Sequence, residues 1–249
     1  IGQIKINGLL NTVTGLHIGG TEVGLAIGGA DNTIVRNGLD GKPYIPGSSI
    51  KGKMRGLMDR VHKGDKLVAA EEQEKQKIRM HLCQNAADYE QCFMCQLFGI
   101  TPEKAENKNL PTRLIFRDAM MTEDTAEKLE KSLYTDMPFS QVKTEVVIDR
   151  ITSAATPRQV ERVPAGADFE YEIVFNLFRD TDLEWLKYIT EAMELLENDY
   201  LGGLGSRGHG QVRFKTRAVT VKSFNGFKVE EAPEFKEWKA AFERTEAAS

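Results

Sequence analysis

Four residues of the types that bind transition metals lie within a short stretch of the sequence. His81, Cys83, Cys92 and Cys95 fall within fifteen residues and include all three cysteines of the chain. Cys92 and Cys95 have the C-x2-C spacing of zinc sites, and His81 and Cys83 form a second pair. We therefore predict a structural Zn²⁺ site that fastens a polar insertion, with His62 as a reserve ligand. Three buried or free thiols are the alternative.

A single aspartate near the amino terminus stands in a glycine-rich stretch. Asp31 follows six glycines between residues 15 and 29, and the other acid of the stretch, Glu22, is nine residues away. A carboxylate can act as a general base or hold a metal ion, and glycine backbone can approach a ligand closely. Asp31 is therefore a candidate catalytic residue. The alternative is a turn aspartate that bonds its own backbone.

A second group of candidate residues lies at the start of a predicted helix after Pro46. Ser48 or Ser49 is expected to cap this helix, whose free N–H groups would attract a phosphate. Lys51 and Arg55 are four residues apart and share a helix face, so both cations can follow one nucleic-acid backbone. An ordinary capped surface helix is the alternative.

Two further candidates for nucleic-acid binding come from glycine-rich segments. Arg207 and His209 lie in the run 201–210, where glycines would let the chain pass close to sugar and phosphate while Arg207 pairs with a phosphate. A flexible connector between helix and strand is the alternative. His17 precedes Asp31 in the first stretch and is expected to bind RNA or to be structural.

The elements that must position these residues follow from periodicity and turn residues. Their order is strand, helix, strand, strand, helix, strand, which is that of an α+β ferredoxin-like (RRM-like) core. We predict one RRM-like domain over 1–249, with insertions at about 64–109 (helical, zinc-binding) and 122–163 (a charged helix and a protruding arm). The predicted strands cover 1–13, 33–36, part of 110–121, 168–178 and 211–221, and the predicted helices follow Pro46 and cover 64–80, 122–133 and 181–198.

Two of these predictions concern apolar stripes and caps. The first helix carries a stripe of apolar residues, and the helix at 181–198 carries a second, with Thr181 as the expected cap. The stripes comprise Ile50, Met54, Leu57, Met58 and Val61, and Leu183, Leu186, Ile189, Met193 and Leu196.

The arm at 143–163 has apolar residues that could separate stacked bases: Ile148, Ile151 and Val160. A mobile surface loop is the alternative.

The composition limits the class of protein. The chain has 249 residues, of which 41% are hydrophobic, so it can bury a sizeable core. It contains no apolar run long enough to cross a bilayer and has an odd number of cysteines, which favours a cytoplasmic protein. The net charge of −4 argues against a nucleic-acid binder, although acidic stretches can hide a local basic surface.

Three segments in a fixed order resemble the RAMP superfamily of CRISPR-associated proteins. They are residues 44–55 (YIPGSSIKGKMR), residues 95–99 (CQLFG) and the run 201–210 with the strand after it. The segments HIGG at 17–20 and GGADN at 28–32 are similar to those of the backbone subunit of type III-A (Csm) effector complexes.

The resemblance implies a role in RNA-guided defence. Copies of such a subunit stack along a CRISPR RNA with other Csm complex subunits, and a thumb hairpin opens the guide–target duplex at regular intervals. Each copy cuts the paired target RNA with a loop aspartate and a divalent ion, Mg²⁺ or Mn²⁺, and Asp31 matches that aspartate. Because Asp31 lacks a neighbouring carboxylate, attack by the RNA 2′-hydroxyl is favoured. A non-cutting scaffold subunit and a CRISPR RNA-processing enzyme are the alternatives, and no membrane partner is expected.

Overall fold

The computed structural model describes residues 2–20, 33–62, 68–69, 79–83, 85–100, 111–224 and 228–248. Within these residues, three short 3-10 turns accompany the regular elements, at Asp180–Trp185, Gly205–Arg207 and Val229–Glu231. In chain order the elements are β1 (Gly2–Thr12), β2 (Tyr44–Ile45), α1 (Gly47–His62), β3 (Val68–Ala69), β4 (Arg79–Met80), α2 (Ala86–Gln91), α3 (Phe93–Phe98), β5 (Leu114–Phe116), β6 (Ala119–Met121), α4 (Glu123–Glu130), β7 (Gln141–Ile148), β8 (Ala155–Arg162), β9 (Asp168–Leu177), α5 (Leu186–Glu197), β10 (Val212–Ser223) and α6 (Pro233–Ala248).

The main sheet is antiparallel and has β1 near its centre. Its order is β10-β1-β9-β6-β2, and β5 pairs with β9 as well. Side chains of β1 alternate strictly between buried and half-buried, because every second residue faces the core. Gly8 lies at a register shift between β1 and β10, where an added Cβ would be 2.2 Å from the Lys215 carbonyl oxygen. This close approach requires glycine at that position.

The core lies between this sheet and the helices α1 and α5. The predicted apolar face of β9 is confirmed, since its five alternate apolar residues from Phe169 to Leu177 are buried, and the stripe of the second helix is buried in full. The stripe of α1 is buried from Ile50 to Met58, whereas Val61 in the last turn is 56% exposed. That stripe therefore ends one turn earlier than its spacing indicates.

Both predicted helix caps are wrong. The helix α1 starts at Gly47, so Ser48 and Ser49 lie inside its first turn, and the Asp118 carboxylate accepts the Gly47 N–H at 2.8 Å instead. A 3-10 turn containing Thr181 precedes α5, and the Asp182 carboxylate accepts the N–H groups at its start. In both cases a nearby carboxylate satisfies the exposed N–H groups more strongly than a hydroxyl can.

Two other local predictions also differ from the structure. Within the predicted helix 64–80, the described residues form the paired strands β3 and β4. The predicted strand at 33–36 is reduced to single bridges, from Ile34 to Gly19 and from Arg36 to Pro43. In neither segment do apolar residues recur with the spacing that specifies a long strand or a long helix.

The arm predicted at 143–163 is a two-stranded hairpin, which we call the thumb. Its strands β7 and β8 pair from Gln141 with Arg162 to Ile148 with Ala155, and in the described part of the chain they form a sheet of their own. Most of β8 is exposed. Across the residues that the structure describes, no helix has the length and apolar character that a membrane span needs.

Candidate nucleic-acid interface and metal centre

The predicted metal ligands come together in the structure. The ligand atoms of His81, Cys83, Cys92 and Cys95 all lie within 4.8 Å of one another, and the three cysteines are buried. The His81 Nε2 atom is 3.2 Å from the Cys92 Sγ atom and 3.5 Å from the Cys83 Sγ atom. Tetrahedral zinc with one nitrogen and three sulfur ligands places these atoms roughly 3.3–3.8 Å apart. The cluster can therefore hold a metal ion, and its two nitrogen–sulfur distances are close to those of a tetrahedral site.

The three thiols differ in pKa because they are hydrogen-bonded to one another and are buried. The Cys95 thiol donates a hydrogen bond to Cys92, which lowers the pKa of Cys92 to about 4. The same bond, followed by burial, raises the pKa of Cys95, and burial raises the pKa of Cys83 to about 11. The hydrogen bonds within the cluster thus favour the thiolate form of Cys92, the form that binds metals.

The side chain of Arg55 joins α1 to the cysteine cluster. Its guanidinium donates 2.9 Å hydrogen bonds to the carbonyl oxygens of Gly99 and His81. The buried Asp59 carboxylate lies 3.8 Å from the Arg55 Nε atom and accepts the His81 N–H at 3.4 Å. Only 14% of the Arg55 side chain is exposed. Arg55 therefore holds the backbone of a predicted metal ligand, a task that its sequence pattern did not indicate.

The other predicted contacts on α1 differ in their exposure. Ser48 is exposed and Ser49 is half-buried, and both lie in the first turn beside the Asp118 carboxylate. The Lys51 ammonium donates to the Leu114 carbonyl oxygen at 3.2 Å, and burial, with Arg55 nearby, lowers the pKa of Lys51. Both cations of the predicted helix face, Lys51 and Arg55, donate to protein carbonyls, so their binding to RNA stays a prediction.

The described residues at the two ends of the first glycine-rich stretch are hydrogen-bonded to each other. The Gly20 N–H donates to the Thr33 carbonyl at 3.1 Å, and the Val35 N–H donates to the Ile18 carbonyl at 2.9 Å. We call the segments 15–20 and 33–36 the loop stems. Asp31 belongs to the residues between the stems and lies outside the described part of the chain.

The loop stems are fastened to the base of the thumb. Leu16 and Val163 exchange two backbone hydrogen bonds of 2.9 and 2.8 Å. The His17 ring donates from Nδ1 to the Glu161 carbonyl oxygen at 2.7 Å, which fixes its tautomer. The Glu161 carboxylate in turn accepts the Ile34 N–H at 3.0 Å. Sequence reasoning missed Glu161, because β8 has no burial alternation at this point.

The second glycine-rich run packs against the first stem. The Gly203 N–H donates to the His17 carbonyl at 2.9 Å, and the Gly210 N–H donates to the Gly15 carbonyl at 3.0 Å. Gly202 has a φ of +76°, and a Cβ there would be 2.2 Å from the His17 carbonyl oxygen. This left-handed conformation and close approach explain the need for glycine.

The same run contacts the thumb through charged side chains. The Glu145 carboxylate on β7 accepts from Arg207 Nη1 and from His209 Nε2, both at 3.0 Å, and Lys143 lies 3.4 Å away. Burial alone would raise the pKa of Glu145, but these hydrogen bonds together hold it below its ordinary value. The predicted residues His17 and Arg207 thus belong to one hydrogen-bonded unit with the thumb.

These features define a class of protein: an α+β fold with a ferredoxin-like sheet, a thumb hairpin and a cysteine-rich insertion. Residues 9–213 match the RAMP superfamily, and the chain belongs to that superfamily. The resemblance found in the sequence and the predicted fold class are thereby confirmed.

Within the superfamily, the chain is similar to proteins named CRISPR system Cms endoribonuclease Csm3. The relative from Methanocaldococcus jannaschii is 38% identical over 224 residues, which cover 89% of this chain and 82% of the relative. The relative from Streptococcus thermophilus is 36% identical over 224 residues, which cover 88% of this chain and 90% of the relative.

Solved structures show the same likeness. The chain matches one from the crystal structure of the Csm3–Csm4 subcomplex of the type III-A CRISPR-Cas interference complex, with a TM-score of 0.53 and 26% identity over 98% of this chain and 96% of that chain. The crystal structure of Methanopyrus kandleri Csm3 shares the fold, with a TM-score of 0.59 and 23% identity over 90% of this chain and 78% of that chain.

Proposed function

We propose that this chain is a guide-RNA-binding backbone subunit of a type III-A CRISPR complex and that it cuts complementary target RNA. Its curated relatives are named as endoribonucleases, and a solved relative belongs to a type III-A interference complex. Copies of the chain would stack along the guide RNA with other Csm subunits. The complex would act in the cytoplasm.

The observation that carries this proposal is the convergence of three segments at the base of the thumb. The stems of the first glycine-rich stretch, the run 201–210 and the two thumb strands are joined by direct hydrogen bonds. Two cations of this unit, Arg207 and Lys143, pair with the Glu145 carboxylate, and an added Cβ at Gly208, next to Arg207, would meet nothing within 4 Å. A polynucleotide strand that crosses the thumb base would meet both features.

Asp31 is the proposed catalytic residue. The RNA 2′-hydroxyl oxygen attacks the adjacent phosphorus, the new O–P bond forms, and the bond from phosphorus to the 5′-oxygen breaks. The Asp31 carboxylate accepts the 2′-hydroxyl proton, and the 5′-oxygen leaves as a hydroxyl after taking a proton from solvent water. The products are a 2′,3′-cyclic phosphate and a 5′-hydroxyl. A divalent ion, Mg²⁺ or Mn²⁺, held by Asp31 would stabilise the developing phosphate charge.

The thumb is proposed to separate stacked bases with the apolar residues at its tip. Ile151 is 93% exposed and lies in a turn organised by Asp149, whose carboxylate accepts the Ile151 N–H at 2.9 Å. Ile148 is exposed as well. Val160 is only 3% exposed, so its predicted role as a wedge is wrong, because it packs inward at the thumb base. Ile151 is therefore the proposed wedge.

The cysteine cluster is proposed to hold structural Zn²⁺. Three thiols and one imidazole are the donors that zinc prefers in closed sites, and all four protein ligands would be used. The reserve ligand His62 lies elsewhere, since its Nε2 atom is 2.8 Å from Glu191 Oε1 and its ring packs edge-on to Phe93. The ion would tie the segment 79–100 together.

The test is cleavage mapping of a guide-matched target RNA by the assembled complex with Asp31→Ala in every copy of this chain. We expect cleavage at regular intervals to be lost while guide and target binding persist. Asp40→Ala is the matched control, because Asp40 is an exposed turn residue that accepts the Lys42 N–H at 3.1 Å. This variant should cut as the wild type does.

Each outcome separates the candidate functions. Cutting at the usual rate and positions by the Asp31→Ala complex would remove Asp31 from catalysis. Absence of cutting by the wild-type complex would favour the non-cutting scaffold. A protein that processes CRISPR RNA alone, without assembling along it, would contradict the backbone role.

A further inference from the structure

We propose that Glu161 is a positioning residue that fixes both stems of the first glycine-rich stretch to the thumb. This inference rests on the proposed function in one respect: the segment between the stems contains Asp31. Glu161 itself belongs to β8, far from that stretch in sequence. Its role is inferred from hydrogen bonds, burial and charge of described residues alone.

Glu161 contacts both stems at the same time. Its carbonyl oxygen accepts from the His17 ring on the incoming stem at 2.7 Å, and its carboxylate accepts the Ile34 N–H on the outgoing stem at 3.0 Å. The stems also pair with each other at the Gly19–Ile34 bridge, through the hydrogen bonds of the residues on either side of it. A single residue therefore sets the separation and orientation of the two points where the chain enters and leaves the stretch.

The carboxylate is held firmly by charged and polar donors. Its Oε1 atom is 2.5 Å from Arg36 Nη2 and 2.5 Å from the Ser140 hydroxyl, and the Glu161 side chain is 1% exposed. Arg36 also donates to Ser140 Oγ and to the Gly41 carbonyl, both at 2.9 Å. A buried carboxylate with three donors has little freedom to move. Ser140 and Arg36 thus hold the Glu161 carboxylate in place, and this carboxylate in turn holds the outgoing stem at Ile34.

The arrangement also links the stems to the thumb. Glu161 pairs with Val142 across the hairpin. Val163, two residues after Glu161, exchanges backbone hydrogen bonds with Leu16 on the incoming stem. A shift of the thumb base would therefore shift both stems together. In an RNA-guided cut, the thumb decides which phosphate is distorted and the stretch between the stems carries the proposed acid. Because Glu161 anchors both the thumb and the stems, it would keep the proposed acid at a fixed position relative to the distorted phosphate.

The test compares Glu161→Gln with the wild type in the assembled complex, loaded with guide RNA. Gln keeps the shape and one acceptor oxygen but removes the charge that Arg36 and Ser140 bind. In single-turnover cleavage we expect the rate constant to fall about tenfold to a hundredfold. The cleaved fraction and the guide-RNA affinity should change less than about threefold. Amide exchange in the segments 15–20 and 33–36 should be faster.

Asp182→Asn is the matched control for general loosening of the fold. Asp182 is also 1% exposed, pairs with the buried Arg113 at 2.9 Å and accepts backbone N–H groups, but it belongs to the turn before α5. We expect it to leave the cleavage rate constant near that of the wild type. Ser140→Ala, which removes one donor to Glu161, is a milder second variant should Glu161→Gln fail to fold, and a smaller fall in rate is expected.

The outcomes distinguish this inference from the proposed function. Unchanged amide exchange in both stems, or an equal loss of rate in Asp182→Asn, would overturn the positioning role of Glu161. Cleavage that survives Asp31→Ala would overturn the proposed catalytic residue. In that case faster exchange of the stems in Glu161→Gln would still support the anchor.

Discussion

The guanidinium of Arg207 lies 3.0 Å from the carboxylate of Glu145 and thereby ties the second glycine-rich run to the thumb. The Glu145 side chain is 11% exposed, whereas 47% of the Arg207 side chain is open to solvent. The carboxylate therefore orients a cation that still faces outward. This arrangement suits an arginine that is preorganised for a phosphate, since the protein fixes its position before RNA arrives.

The Arg207 and Glu145 variants should have opposite effects on RNA binding. Arg207→Ala removes a phosphate contact, so affinity for single-stranded RNA should fall and the slope of log K against log salt should become shallower by about 0.7. Glu145→Gln removes a negative charge beside two cations, Arg207 and Lys143; this gain outweighs the looser positioning of Arg207, so affinity should rise by about two- to fivefold at low salt. Titration with single-stranded RNA at several salt concentrations measures the affinity and its salt slope for each variant. An equal loss of affinity in the two variants would contradict phosphate binding by Arg207.

The stability of the thumb contact should depend on pH through His209. Burial, with Lys143 and Arg162 nearby, lowers the pKa of His209 below 6.5, although its bond to Glu145 opposes this shift. Its Nδ1 atom has no hydrogen-bond partner in the described part of the chain, so a second proton would find no acceptor there.

The sign of this dependence follows from the lowered pKa. The unfolded chain binds a proton as pH falls through 6.5, before the folded chain does, so the free energy of unfolding should decrease from there down to the folded pKa. In His209→Gln this part of the decrease should disappear. Denaturant unfolding at pH 7.5, 6.5 and 5.5 measures the difference, and parallel curves for the two proteins would contradict the prediction.

The residues that sequence reasoning found are those whose pattern is local. The stripe of α5, the alternation of β9 and the spacing of Cys92 and Cys95 can all be seen within a few turns or strands of chain. Glu161 and Glu145 have no such signal, because their partners lie elsewhere: Arg36 is 125 residues from Glu161, and Arg207 is 62 residues from Glu145. Only the tertiary fold brings these charges together.

The cysteine cluster should bind zinc and stabilise the chain. Purified wild-type protein should contain about one zinc ion per chain, and Cys92→Ser should contain almost none, because a closed site needs all four ligands. The variant should lose more than about 2 kcal/mol of unfolding free energy. His62→Asn is the control and should keep its zinc, since His62 bonds Glu191 instead. The zinc content of each purified protein is measured before and after treatment with a chelator. A wild-type protein that contains no zinc and folds normally would exclude the zinc site.

Arg55 should stabilise the fold, and the same variant tests the RNA contact predicted for it from the sequence. Arg55→Gln leaves the carbonyl oxygens of Gly99 and His81 without their charged donor, which should cost about 1.5–3 kcal/mol of unfolding free energy. The salt dependence of RNA binding should stay unchanged. Arg60→Gln, an exposed position on the same helix, should alter stability by less than about 0.5 kcal/mol. A shallower salt slope in Arg55→Gln at unchanged stability would instead support the RNA contact predicted from the sequence.

The thumb tip should affect cleavage without affecting folding. Ile151 is almost fully exposed, so Ile151→Ser should leave the melting temperature unchanged, whereas loss of the apolar wedge should slow target cleavage several-fold to about tenfold. Leu133→Ser is the matched control, because Leu133 is 95% exposed but lies before the thumb, next to α4. Single-turnover cleavage of one guide-matched target compares the two variants. A 2-aminopurine base at the expected site of unstacking fluoresces less when it is stacked, so its fluorescence should be lower only with Ile151→Ser. Equal fluorescence and equal cleavage rates with the two variants would assign the unstacking to another part of the thumb.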